Sequence, residues 1–174
     1  MALKLNLKQK NILVALHVIS VAAWFGATLC MLLLLFYVKK AQNGEQLYYF
    51  LESMHVLDDN LIKYPALTTL LTGILLSLWT QWGLVKYYWI VIKLVLTIVT
   101  ILIGIFFIND WFSFLLAAAK ERGYAAMQSQ DFQSTWQANV WAAVFNTAAY
   151  GFMVVITYFK PFGKIRKTVK TKAD

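Results

Sequence analysis

The sequence predicts an all-α integral membrane protein, a four-helix bundle forming one domain over residues 1–174. Three observations predict it. The chain is 60% hydrophobic and only 14% charged, far less charge than a soluble domain of this size carries. Several apolar runs reach the roughly 20 residues needed to cross a bilayer. No linker, low-complexity tract or clear internal repeat divides the chain. In lipid, backbone N–H and C=O groups must be satisfied within their own segment, so the spans are expected to be helices.

The first span, about residues 11–37, follows Lys4, Lys8 and Lys10 and stops at Lys39-Lys40. A basic start followed by an apolar run resembles a signal peptide. The run from Asn11 to Phe36 is too long for one, and no small-residue cleavage site follows, so it reads as a retained span. The second span, about 61–81, is entered near Pro65, whose missing N–H suits a first helical turn. A tight turn at Trp82-Gly83 leads into the third span, about 87–108, and makes spans two and three antiparallel neighbours. The fourth, about 137–159, is stopped by Lys160-Pro161.

Two connections are longer and fall on the same side. Residues 43–59, NGEQLYYFLESMHVLDD, read as an amphipathic helix or an early extension of span two. Residues 109–136 have helical character around FSFLLAAAKERG. Together they are expected to cap the bundle.

The net charge of +8 and the pI of about 9.6 would point to nucleic acid in a soluble protein. Here most of the lysine flanks apolar spans, where it sets topology and attracts anionic lipid, so the expected partner is the bilayer and not nucleic acid. With both termini in the cytoplasm, the inner side holds Lys4, Lys8, Lys10, Lys86, Lys160, Lys164, Arg166, Lys167, Lys170 and Lys172. The outer side holds Lys39, Lys40, Lys63, Lys120 and Arg122. That bias predicts a multi-pass protein of the bacterial cytoplasmic membrane, N-in and C-in. Trp82 and Trp89 would mark the inner interface, Trp111 and Trp136 the outer one.

Each span carries small or polar residues at helical spacing: His17, Trp24 and Thr28; Pro65, Thr69, Thr72 and Thr80; Lys93, Thr97, Thr100 and Gly104; Asn139, Ala143, Asn146, Tyr150 and Thr157. Such stripes are expected to face the bundle interior, with Ala22 and Gly26 as a close-approach pair. Cys30, the single cysteine, reads as a small packing residue.

Two of these residues are ionisable. His17 lies six residues after Asn11 and Lys93 six after Tyr87, in spans that run the same way. At a rise of ~1.5 Å per residue both come about 9 Å along their helices. An imidazole and an ammonium at matching depth form a candidate site. Snorkelling of Lys93 to the headgroups, and a structural hydrogen bond from His17, are the plainer alternatives. Neutral imidazole suits haem iron, and the ammonium suits a propionate. The expected pocket is His17, Lys93, Trp24, Thr97, Asn146 and Tyr150, fitted to a flat macrocycle or a quinone ring.

A second group, Glu52, His55 and Asp59, shares one helix face outside the spans and is a weaker metal candidate. A solvated acidic face at the start of span two is the plainer reading. Phosphate loops, Cys-x-x-Cys, Gly-x-Ser-x-Gly and HExxH are absent, and no span contains an acid, which weighs against a proton- or cation-coupled transporter.

Two resemblances follow from these segments. LDDNLIKYPALTTLLTGILLSLWTQWG, YYWIVIKLVLT and FKPFGK resemble a family of small four-span bacterial membrane proteins of unknown function, which implies a fold and no activity. LHVISVAAWFGATLCMLLLLFYV, YPALTTLLTG and WIVIKL resemble HemJ-type protoporphyrinogen oxidases, four-span proteins that bind haem b. That resemblance implies roles for His17, as a haem-iron ligand, and for Lys93. Leucines stand where that family has Pro-Arg at the end of span one, and no histidine follows in FYVKK, so the resemblance implies a pocket rather than the oxidase activity. The sequence thus supports a haem- or porphyrin-binding membrane protein with a redox role. A non-enzymatic assembly or regulatory protein is an alternative, as is a small transporter subunit that works as a homo-oligomer.

Overall fold

The structure, a computed structural model, describes residues 5–165. Lys4, Arg166, Lys167, Lys170 and Lys172, which contribute to the expected charge bias, lie outside the described residues. Within them the chain is helical, and four continuous helical segments are long and apolar enough to cross a membrane. Helix α1 is Leu7–Val38. Helices α2, Gly44–Leu57, and α3, Lys63–Trp79, form one segment joined by a π-helical turn at Asp58–Ile62. Helices α4, Tyr88–Ile103, and α5, Asn109–Arg122, are joined in the same way through Gly104–Ile108. After a 3₁₀ turn at Gly123–Gln128, helix α6 runs over Gln130–Phe159.

Helices α1, α3, α4 and α6 form the bundle, while α2 and α5 pack on each other beyond one end of it as a small lobe. The 43–59 connection is therefore both an amphipathic helix and an extension of the second span. The ends of the elements follow from local chemistry. The first helix starts at Leu7 because Asn6 accepts the Gln9 N–H while the Gln9 side chain accepts the Asn6 N–H, a capping box. At the fourth, Ser129 caps Phe132, so the helix begins well before residue 137. Gly83, at φ +67°, makes the turn between α3 and α4. The segment after α6 folds back on that turn, with the Ile165 N–H donating to the Lys86 carbonyl at 3.0 Å.

The packing differs between the two ends. The lobe buries Leu47, Leu51 and Met54 of α2 against Phe112 and Leu115 of α5, with Val38 and Phe132 closing the cluster. Trp136 ties α6 to α1 by donating to the Leu35 carbonyl at 2.9 Å. In the bundle the outward surface is aliphatic, and the buried positions include Thr28, Thr69, Thr72, Thr100, Asn139 and Asn146. The polar stripes do face inward. The Ala22/Gly26 pair does not pack: Ala22 is exposed, and a Cβ on Gly26 would meet nothing within 4 Å. Cys30 is also on the outside of α1. Trp89 is buried against Trp82 and Tyr87, not spread at a surface.

Candidate functional site

In the half of the bundle nearest Leu7 and Phe159, the four helices leave a cavity of about 620 Å³. Its walls are mostly aliphatic and aromatic, and the polar groups on it include His17, Thr69, Ser77, Thr80, Lys93, Thr97 and Thr157, with Lys10 at the rim. Among the described residues no acidic side chain lines it.

His17 on α1 reaches α3. Its Nδ1 lies 2.8 Å from Thr72 Oγ1. The Thr72 hydroxyl has one proton, which it donates to the Thr68 carbonyl at 2.6 Å. With its proton placed there, the Thr72 oxygen accepts from His17 Nδ1–H, the tautomer in which Nε2 keeps its lone pair. Gly73 makes this approach possible, since a Cβ there would stand 3.3 Å from His17 Cε1.

Lys93 on α4 turns into the bundle. Its ammonium donates to Thr157 Oγ1 of α6 at 3.0 Å and lies 5.4 Å from the Trp89 ring centroid. The Thr157 hydroxyl donates its own proton to the Met153 carbonyl at 2.7 Å, so it too is an acceptor. One hydroxyl and one ring face leave an ammonium underpaired. Nearby, Thr69 Oγ1 is buried without a hydrogen-bond partner.

Of the six residues expected to form a pocket, His17, Lys93, Trp24, Thr97 and Tyr150 line this cavity. His17 and Lys93 share it while each is held by a different neighbour. Asn146 does not line it; it lies in a second cavity of about 420 Å³ nearer the lobe. Trp24 and Tyr150, with ring centroids 4.6 Å apart, form a wall of both. Sequence reasoning missed Gly73 and Lys10. The signals were a glycine beside Thr72 inside an apolar run, and a lysine seven residues before His17, on the same helix face.

The weaker metal candidate is not brought together as a three-residue set. His55 Nε2 lies 3.4 Å from Asp59 Oδ2, but the Asp59 carboxylate is also bonded by Lys63, and Glu52 joins neither. Among the described residues no group of three or more His, Cys, Asp or Glu is arranged to hold a metal ion. The bond from Lys63 holds the Asp59 carboxyl below its usual range, while burial pushes the neighbouring Asp58 carboxyl up. This is a local ion-pair cluster.

No family model matches the chain, and no curated protein or solved structure matches it. Its chemistry has to be read from the cavity. The residues fit haem in kind: one imidazole with Nε2 free and Nδ1–H already anchored, as metal-ligating histidines usually are. Cationic Lys93 and Lys10 suit propionates, and the walls are apolar. They fit a single protein ligand, since the other histidine, His55, belongs to the lobe cluster with Asp59.

Proposed function

We propose that the chain is a multi-pass protein of the bacterial cytoplasmic membrane, with both termini cytoplasmic, that holds an anionic tetrapyrrole, haem b in first place. The orientation rests on the ten-to-five bias of lysine and arginine between the two sides. One observation carries the ligand: an apolar cavity that contains an imidazole and a buried ammonium and no carboxylate to pair with it. A charge in such a place is expensive unless something neutralises it. An anionic group on a flat apolar ligand supplies that.

In this reading His17 Nε2 ligates the iron, and Thr72 fixes the ring by accepting from Nδ1–H. Lys93 and Lys10 pair with carboxylates, and Thr69 Oγ1 gains a partner. Bound haem would supply one-electron chemistry. Trp24, Tyr150 and the aliphatic lining keep water from it.

The test is spectroscopic. The purified protein, alone or given haemin, is expected to show a band near about 400–430 nm. His17→Ala should abolish or shift that band. Lys93→Met should weaken haemin binding about 10-fold or more, the size of one charged hydrogen bond. A protein that takes up no haemin sinks the proposal, and so does a band untouched by His17→Ala.

A further inference from the structure

The second cavity, about 420 Å³, has no role in the haem reading. Both π-helical turns border it, with Asp58 and Ile62 from one and Gly104, Ile105 and Ile108 from the other. Such turns recur at functional sites because the extra residue re-aims the helix wall. Its polar lining inside the bundle is uncharged: Thr28, Thr100, Asn139, Asn146 and Tyr150. At its lobe end stand Asn109, Asp58 and Lys63, the last two 3.5 Å apart, with the Lys63 ammonium shared with Asp59.

The threonine donors are already used. Thr28 gives its hydroxyl proton to the Trp24 carbonyl at 2.9 Å, and Thr100 gives its proton to the Thr97 carbonyl at 3.0 Å. Their oxygens remain as acceptors. Asn146 is only 6% exposed, and its Oδ1 is buried with no partner at all. A buried amide oxygen left unpaired is costly, and a hydrocarbon chain cannot satisfy it. Leu67 and Ile105, both more than half exposed, line the cavity as well, so its wall reaches the aliphatic outer surface of the bundle.

We propose that this cavity is a second ligand site, for an uncharged amphiphile from the bilayer whose head group donates a hydrogen bond to Asn146 Oδ1. The chemistry is that of a phenol or quinol on a hydrocarbon tail. The ring lies against Trp24 and Tyr150, and Met31, Leu35 and Ile101 cover the tail. A plain alkane leaves Asn146 Oδ1 unpaired.

Calorimetry on the full chain in detergent tests this with two probes, 4-octylphenol and its methyl ether, which has the same body and no donor. Partition into empty micelles is subtracted. The phenol is expected to bind about tenfold tighter than the ether, the size of one hydrogen bond to a buried acceptor. Asn146→Leu should erase that preference. Gly104→Leu should block both probes, because a side chain there enters space in which an added Cβ meets nothing within 4 Å. Equal affinities in the wild type overturn the proposal, as does a preference that survives Asn146→Leu. If Asn146→Leu fails to fold, undiminished phenol binding in Gly104→Leu overturns it instead. Haemin uptake is a separate readout, so failure here leaves the His17 reading intact.

Discussion

Phe132, Leu47, Leu51, Met54, Leu115 and Val38 are among the largest side chains that the protein buries completely, and all belong to the lobe cluster. The comparable residue in the bundle is a threonine, Thr100. The lobe is an amphipathic helix pair that must hide apolar surface from water, so it closes into a filled core. In the proposed membrane setting the four long helices would have no such drive, because lipid tails are as apolar as their own leucines. They turn aliphatic residues outward and polar ones inward, and the contacts between polar groups leave room. Both cavities lie where the hydrophobic effect does not close them. The lobe is the filled core, and the loosely filled bundle holds the two cavities.

The largest test of that contrast truncates one leucine in each region. Leu115 is 0% exposed in the lobe cluster. Leu115→Ala should cost about 2–5 kcal/mol, the usual range for a leucine lost from a packed core. Leu94 already borders the larger cavity. Its truncation removes fewer contacts and should cost less than about 1–2 kcal/mol. Unfolding in detergent, with hydrogen exchange to localise the loss, measures both. Equal costs would break the distinction.

Glycines sharpen it at a smaller scale. A Cβ on Gly44 would stand 2.9 Å from Gly123 Cα and 2.9 Å from the Tyr124 nitrogen. These are backbone atoms that cannot swing away, and Gly123 is itself held at φ +54°. Gly44→Ala should therefore cost about 1–3 kcal/mol, as overpacking does. Gly73→Ala meets only the His17 ring, at 3.3 Å. It should leave stability within about 1 kcal/mol, because the helix gains from alanine what the contact costs. It should still weaken haemin uptake by displacing the imidazole. A melt and a haemin titration on the two variants separate backbone crowding from ring displacement.

The inward stripes were legible because they repeat at helical spacing in segments too apolar to sit elsewhere. Thr69, Thr72, Thr97 and Asn146 are all buried, as their spacing predicts. The sharing of one cavity by His17 and Lys93 was legible from matching depth in co-directional helices. What they bond to was not: Thr72 and Thr157 accept across helix pairs whose rotation no single stripe determines. The split into two cavities was also hidden, because it depends on Trp24 and Tyr150 meeting ring to ring across α1 and α6. Asn146 was assigned to the wrong side of that wall. Gly26 misled for a related reason, since a small residue permits close approach without guaranteeing a neighbour there. The π-helical turns left no signal either. They lie at Asp58–Ile62 and Gly104–Ile108, where the chain passes between bundle and lobe.

The smallest effect concerns pH and the seam between the two regions. Asp58 and Asp59 are adjacent at the first π-helical turn, yet their carboxyls shift in opposite directions. Burial pushes Asp58 up, against the pull of Lys63. The Lys63 hydrogen bond pushes Asp59 down, with His55 adding to it. A depressed carboxyl stabilises the fold above the ordinary carboxylate value of about 3.9, and that contribution is lost as pH falls through its lowered value. A raised carboxyl does the reverse: its contribution is present at low pH and is lost as pH rises through its raised value. The two slopes lie on either side of that ordinary value, so lobe stability should pass through a shallow maximum near about pH 4, with each contribution under about 1 kcal/mol at these partly solvated positions. Single variants expose the halves. Asp58→Asn removes the raised group and should abolish the fall above the maximum, leaving the rise below it. Asp59→Asn removes the depressed group and should abolish the rise below the maximum, leaving the fall above it. Hydrogen exchange of the α2 and α5 amides at several pH values reads the sign directly. If both variants tilt the same way, the seam does not hold the opposed pair that its geometry describes, and the lobe's acid response comes from elsewhere.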